Sequence, residues 1–216
     1  ISGAAPTLAA LIQDGVTRKL QLVVSNSNSG SPMMTNTANA FSGGLVLANS
    51  ANGTRLMVGT ITGTPWGAGP IIVGQSSTDK AGIYFNVASQ NLANDLVMNT
   101  ELGTDRLGVR VDVTGATFSG RLTANLAPLV FSTNGTGAAS LTGKITGPSG
   151  LILDAATSGG SLTITLNNAS ADNDYAGNTV IGRSATTARS RTLVLGAADQ
   201  IPHGASKGDV LINTVG

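Results

Sequence analysis

The feature of this sequence that most constrains its fold is a succession of short strand-like runs separated by tight-turn residues. In residues 108–113 and 161–166 the apolar side chains occupy every second position, which is typical of a strand with one buried face and one solvent-facing face. Turn-forming pairs punctuate the runs, for example Asn134 with Gly135 and Gly147 with Pro148. The pattern continues without a change of composition and predicts one all-β unit over residues 1–216.

Helical periodicity is almost absent, and residues 6–13 are the only short candidate helix. The predicted strands cover residues 19–24, 44–47, 55–58, 70–73, 82–87, 95–99, 107–113, 121–126, 129–132, 151–153, 161–166, 179–181, 192–195 and 209–213.

Composition indicates what kind of interior these strands enclose. Apolar residues make up 41% of the chain, charged residues 11% and aromatic residues 3%, and there are 29 glycines. An average globular domain carries about 25% charged residues. Because disordered chains show the opposite balance of charge and apolarity, the composition excludes disorder. Val, Ile, Leu and Ala suit a narrow, regular interior, and Gly and Asn suit its corners. If the strands wind as successive coils around such an interior, roughly 20–25 residues per coil gives about nine or ten coils. At a strand spacing of ~4.8 Å, these coils form a rod about 45 Å long.

Parts of the sequence recur in the same order. Residues 39–43 (Asn-Ala-Phe-Ser-Gly) reappear as residues 173–177 (Asn-Asp-Tyr-Ala-Gly), and similar strands follow each copy. We interpret this as an internal repeat with copies at about 7–87 and 140–214, separated by a strand-rich middle section, 88–139.

The repeated pattern is aromatic-Ser/Ala-Gly, a strand, Leu-x-Leu-Gly, Ile-Pro-x-Gly and a second strand. It resembles the passenger-associated β-strand repeat of autotransporters, and the second copy matches better than the first, in which Pro65-Trp66 replaces Ile-Pro. The repeat-motif positions, for which we predict structural roles, are Phe41, Gly43, Gly59, Gly67, Tyr175, Gly177, Gly196, Pro202 and Gly204.

The resemblance implies a right-handed, single-stranded parallel β-helix that is secreted to the surface of a Gram-negative bacterium. It implies a structural role as a stalk or fibre segment, and no enzymatic activity. Two other readings stay open: an adhesin that binds a glycan or host surface, and a β-helix that degrades polysaccharide. The first and last strands have no obvious cap, and uncapped solenoid ends favour end-to-end association with other copies or adjacent segments.

Candidate chemistry is sparse. Asp172 and Asp174 form the best acidic pair, which we interpret as a solvated turn, with calcium binding or catalysis as alternatives. His203 reads as an exposed turn residue, and Trp66 as a corner residue or as a sugar-binding surface. The chain has no Cys, which excludes disulfides and thiolate metal sites.

No catalytic residue, cofactor or metal site is predicted. The scattered basic residues exclude the positive stripe that nucleic acid requires, and no apolar run reaches the 18 residues of a transmembrane helix.

Overall fold

A computed structural model describes residues 7–25, 33–48, 54–101, 108–154, 160–182 and 190–213, and these residues form an all-β fold without helices. The strands, in chain order, are β1 (Thr7–Leu8), β2 (Leu22–Val24), β3 (Met33–Met34), β4 (Leu45–Leu47), β5 (Thr54–Val58), β6 (Ile71–Val73), β7 (Ala81–Phe85), β8 (Asn91–Leu92), β9 (Leu96–Met98), β10 (Val109–Val111), β11 (Ala116–Phe118), β12 (Leu122–Ala124), β13 (Leu129–Ser132), β14 (Gly137–Leu141), β15 (Ile145–Thr146), β16 (Leu151–Leu153), β17 (Ser161–Leu166), β18 (Thr179–Ile181), β19 (Ser190–Leu195) and β20 (Val210–Ile212).

These strands pair in parallel and stack into three long sheets. The sheets have the orders β20-β18-β16-β13-β10-β7-β5, β19-β17-β14-β11-β8 and β15-β12-β9-β6-β4-β2, and β1 pairs with β3 in a fourth, two-stranded sheet. From β7 to β17 the chain visits the seven-, five- and six-stranded sheets in turn and then begins again. The fold is therefore the predicted parallel β-solenoid; its right-handedness stays a prediction.

Register along one sheet gives the length of a coil. Leu22 pairs with Leu45, Leu45 with Ile71 and Ile71 with Leu96, so that one coil takes roughly 25 residues. Later coils are longer, since Thr179 pairs with Val210. The expectation of nine or ten coils was too high, because the largest sheet of the described residues has seven strands. Because the coils are longer than the shortest expected length, fewer of them fit into the chain.

The alternation seen in the sequence places side chains inside and outside the solenoid. Strand β17 has the predicted bounds, Ser161–Leu166, and Leu162, Ile164 and Leu166 are buried while the intervening residues are partly exposed. Each inward side chain lies against its register partner in the next coil. The core is consequently one continuous column of stacked aliphatic side chains.

All the aromatic side chains except that of Tyr84 lie inside this column. The rings of Phe85 and Phe118 have centroids 4.9 Å apart, and those of Phe118 and Phe131 lie 5.4 Å apart in an edge-to-face arrangement. Phe41 and Tyr175, which occupy the same position in the two repeat copies, are buried as well. Aromatic rings are rare in this chain, and those contributed by neighbouring coils pack against one another in the interior.

Two kinds of local prediction were wrong. The candidate helix at residues 6–13 begins instead with strand β1, which pairs with β3 one coil later. Strands β3, β8, β11, β14 and β15 were missed: β14 consists largely of Gly, Ala and Ser, which have little intrinsic strand preference, and the other four are only two or three residues long. In each case backbone pairing with an adjacent coil decides the conformation, and that pairing is invisible in a local window.

The two predicted repeat copies lie on different faces of the solenoid. The strand after Phe41 is β4 in the six-stranded sheet, whereas the strand after Tyr175 is β18 in the seven-stranded sheet. Residues 55–58 likewise lie in the seven-stranded sheet and their predicted counterparts, 192–195, in the five-stranded sheet. Corresponding segments are thus one face apart along the winding direction. The duplication itself stays a prediction.

Candidate functional site

Asp172 and Asp174, the acidic pair predicted from the sequence, both form ion pairs with Lys144. Lys144 Nζ lies 3.0 Å from Asp174 Oδ2 and 3.7 Å from Asp172 Oδ2, on an exposed turn. A hydrogen bond from Thr146 lowers the pKa of Asp174; partial desolvation opposes this shift, and Lys144 adds to it. The hydrogen bond to Asp174 raises the pKa of Lys144. An acid catalyst needs a raised carboxyl pKa, and the lowered pKa of Asp174 does not suit that role.

Among the described residues there is no group of three or more His, Cys, Asp or Glu side chains that could hold a metal ion. The described residues also contain no helix long and apolar enough to cross a membrane. His203 is exposed, as predicted, but it lies in an irregular segment between β19 and β20 and not in a turn.

The two Asn-x-aromatic-x-Gly segments share one hydrogen-bonding arrangement. Asn39 Oδ1 accepts from the Ile12 N–H at 2.8 Å, and its Nδ2 donates to the Pro65 carbonyl at 2.7 Å. Asn173 repeats this arrangement, accepting from the Ile145 N–H at 2.8 Å. Its Nδ2 donates to the carbonyl oxygen of Gln200 at 2.9 Å. Each buried Asn therefore connects three consecutive coils.

Motif glycines mark places where two coils approach closely. A Cβ atom at Gly43 would lie 2.6 Å from the Leu20 carbonyl oxygen, and one at Gly67, where φ is +71°, would lie 2.4 Å from the Phe41 oxygen. At Gly177 the nearest atom would be the Gly150 nitrogen, at 2.5 Å. Any side chain there would push adjacent backbones apart.

The remaining motif positions are less crowded. Gly196 lies beside the Asn167 side chain, and Gly204 has a φ of +100° with open space around it. Pro202 is buried, and Gly59 is partly exposed and lines a pocket with Trp66. Their structural roles stay predictions, since position alone does not test them.

The last described coil exposes side chains that face the core in earlier coils. Leu195 continues a buried column through Leu166 but is 53% exposed, and Ile212 follows Ile181 and is 66% exposed. Strands β19 and β20 end their sheets, and no described strand pairs with their outer edges. The coil thus presents apolar side chains together with two strand edges.

A second feature is a lateral cleft beside Trp66. It has a volume of about 600 Å³ and lies between residues 60–68 of one coil and residues 89–94 of the next. Trp66 is only 3% exposed, so its ring forms part of the cleft wall and offers no free stacking face. The sequence indicated Trp66 but not the opposite wall, because no local signal connects segments that are one coil apart.

The environment of the Tyr84 side chain differs from that of Trp66. The guanidinium carbon of Arg110 lies 4.5 Å from its ring centroid, and Arg110 also forms an ion pair with Asp112. One face of that ring is therefore occupied by a cation from the neighbouring strand.

The sequence matches no protein-family model, no curated protein and no solved structure. The likeness to the autotransporter repeat therefore rests on the motif residues themselves, and the fold class on the parallel pairing of the strands.

Proposed function

We propose that this chain is a structural segment of a secreted or cell-surface β-solenoid rod, and that a further coil, from a second copy or from an adjacent segment of the same protein, stacks on its last described coil. The observation that carries the proposal is the exposure of core-type side chains on β19 and β20.

Burial of these side chains supplies the driving force. Leu195, Val210 and Ile212 have register partners in the coil before them, and no described strand lies beyond them. Burying a Leu or Ile side chain contributes roughly 1.5–3 kcal/mol. The outer edges of β19 and β20 add backbone N–H and C=O groups that favour pairing with another strand.

The opposite end of the rod is apolar as well. In the first coil, Leu8, Leu11 and Leu20 are exposed, and β2 is the outermost strand of the six-stranded sheet. Contact between two different faces of the same chain is head-to-tail and, along a straight rod, does not close into a ring. It produces a filament whose axis is the solenoid axis.

The extracellular location is the part of the proposal that depends on the autotransporter resemblance. The absence of Cys from the chain is compatible with export in an unfolded form. Labelling intact producing cells with an antibody against the chain tests this location, and detection only after the cells are lysed contradicts it.

Negative-stain electron microscopy and sedimentation velocity over a range of protein concentrations test the association. We expect rods of constant width whose length increases with concentration. The double variant Leu195→Lys/Ile212→Lys places two charges on the terminal face, so it should remain as short, dispersed particles.

Leu126→Lys is the matched control, because Leu126 is 56% exposed but lies on a turn between β12 and β13 in a middle coil. This variant should elongate like the unmodified chain. Unmodified protein that stays dispersed at high concentration, or a control that blocks elongation equally, contradicts end-to-end stacking.

A further inference from the structure

The lateral cleft exists because one sheet stops before it reaches the neighbouring coil. Strand β8 is the edge strand of the five-stranded sheet and pairs with β11 on one side only. On its other side, residues 59–70 connect β5 to β6 without forming a strand. The N–H groups of Thr64 and Ala68 in this connection bond back to the preceding coil. The connection therefore leaves a gap toward β8.

Two side-chain amides cross this gap. Gln90 Oε1 accepts from the Ile61 N–H at 2.5 Å. Asn94 Nδ2 donates to the carbonyl oxygens of Gly67 and Gly69, at 3.0 and 2.8 Å. These bonds satisfy backbone groups that a ladder strand would otherwise pair, and they fix the two walls relative to each other. The cleft is consequently a preformed part of the fold.

Several hydrogen-bonding groups in the cleft have no partner among the described residues. The Oδ1 of Asn94 is an acceptor that no described donor reaches, and the hydroxyl groups of Thr60 and Ser89 also lack described partners. Hydroxyl groups of a ligand both donate and accept hydrogen bonds, so they suit all three of these groups.

The lining also has a distinctive charge. None of its thirteen residues is ionisable, and all its polar groups are amides, hydroxyls, an indole N–H and backbone. Its volume of about 600 Å³ is within the range of roughly 300–1,000 Å³ that is usual for small-ligand sites. We propose that this cleft binds one or two units of an uncharged carbohydrate, whose hydroxyl groups donate to Asn94 Oδ1 and bond to the hydroxyl groups of Thr60 and Ser89.

An extended peptide that adds to the edge of β8 is the competing occupant, because free sheet edges accept strands. The side-chain bridges at Gln90 and Asn94 argue against it. A peptide lying along the edge would have to break both, whereas a compact sugar fits between them. Neither wall carries a charge that would select an acidic or basic ligand.

Trp66 is the only tryptophan in the chain, so its fluorescence reports on the cleft alone. The probes are glucose, galactose, mannose, N-acetylglucosamine, N-acetylgalactosamine and their disaccharides, with glucuronate and N-acetylneuraminate as charged comparators. We expect a saturable change in emission with at least one neutral sugar. Its dissociation constant should be insensitive to salt, because no charge pair contributes to binding.

Ala93→Arg places a long side chain in the cleft, since Ala93 is an exposed lining residue. It should weaken binding on the order of tenfold or more, and Thr60→Ala, which removes one hydroxyl, by a few-fold. Ala169→Arg is the matched control on an exposed turn outside the cleft and should bind like the unmodified chain. Circular dichroism melting shows whether each variant is folded.

Three results overturn the proposal: no saturable response to any neutral sugar well above millimolar concentration, binding that Ala93→Arg leaves unchanged, or a response only to the charged comparators. Binding of an uncharged extended peptide such as poly-threonine, with no sugar binding, assigns the cleft to strand addition instead. Since the cleft is on the side of the rod, Ala93→Arg should leave end-to-end association intact. A failure here is therefore distinguishable from a failure of the stacking proposal.

Discussion

The middle coils and the last described coil have the same sequence pattern and opposite environments. In the middle, Phe118 on β11 has β8 on one side and β14 on the other and is completely buried. At the end, Leu195 on β19 alternates in the same way and has a neighbour on one side only. Because each coil of a solenoid contacts only its neighbours, burial depends on position in the stack as much as on residue type.

Truncation of a middle core residue should show the largest difference between the two regions. Phe118→Ala removes a ring that contacts Phe85 and Phe131, so we expect a loss of about 3–5 kcal/mol in the free energy of unfolding. Leu195→Ala should cost less than about 1 kcal/mol under conditions where the chain is dispersed, because its side chain is largely in water.

Urea denaturation followed by circular dichroism measures both effects. Equal losses at the two positions would contradict the comparison, since they would mean that the last coil is covered in solution.

Backbone contact between middle coils should give the next largest effect. A Cβ atom at Gly143 would lie 1.9 Å from the Gly120 carbonyl oxygen, whereas one at Gly135 would have nothing within 4 Å. Gly143→Ala should therefore destabilise the fold by about 1–3 kcal/mol through forced separation of two coils. Gly135→Ala is the control and should be neutral or slightly stabilising, by up to about 1 kcal/mol.

The same denaturation experiment distinguishes the two alanine variants. If Gly143→Ala proves as harmless as Gly135→Ala, the coils are not in the close contact described.

The smallest effect is a pH dependence that arises in a middle coil. Burial alone would raise the pKa of Asp112, but hydrogen bonds from Arg110 and the Asn134 N–H, with the charge of Arg110, lower it below its usual value. A lowered folded-state pKa stabilises the fold above the unfolded pKa of about 4, and this stabilisation is lost as pH falls through the folded pKa.

Asp112→Asn should remove this component, which we expect to be less than about 1 kcal/mol. The measurement compares urea midpoints of the two proteins between pH 7 and pH 2. The difference between them should shrink as the solution is acidified. A difference that stays constant or grows toward low pH gives the wrong sign and contradicts the assignment.

Much of the solenoid could be predicted where alternation and branched side chains coincide. The bounds predicted for β13, β16, β17 and β18 agree with the structure. Phe41 and Tyr175, which occupy the same position in the two repeat copies, are both buried. Predictions failed where the strand residues are small, as in β14, because pairing with β11 and β17 imposes the conformation there. Asn52 and Gly159, parts of two predicted turns, lie outside the described residues.

The candidate site was predictable only in part. Trp66 was singled out because it is the one tryptophan and departs from the repeat pattern. Residues 89–94, which complete the cleft, carry no pattern of their own. Their relation to Trp66 depends on an edge strand that stops one coil short and on Gln90 and Asn94 crossing the gap.

The sequence by itself determined the period-two burial and the glycine-rich corners, because these depend on neighbouring residues and on backbone sterics, and the resemblance of its repeat added the expectation of parallel strands. Only the tertiary structure decided which side chains of the same type are covered, which face each repeat copy occupies and where the ladder opens into a cleft. Those outcomes depend on contacts between residues about one coil apart, and such contacts leave no periodic trace in the chain.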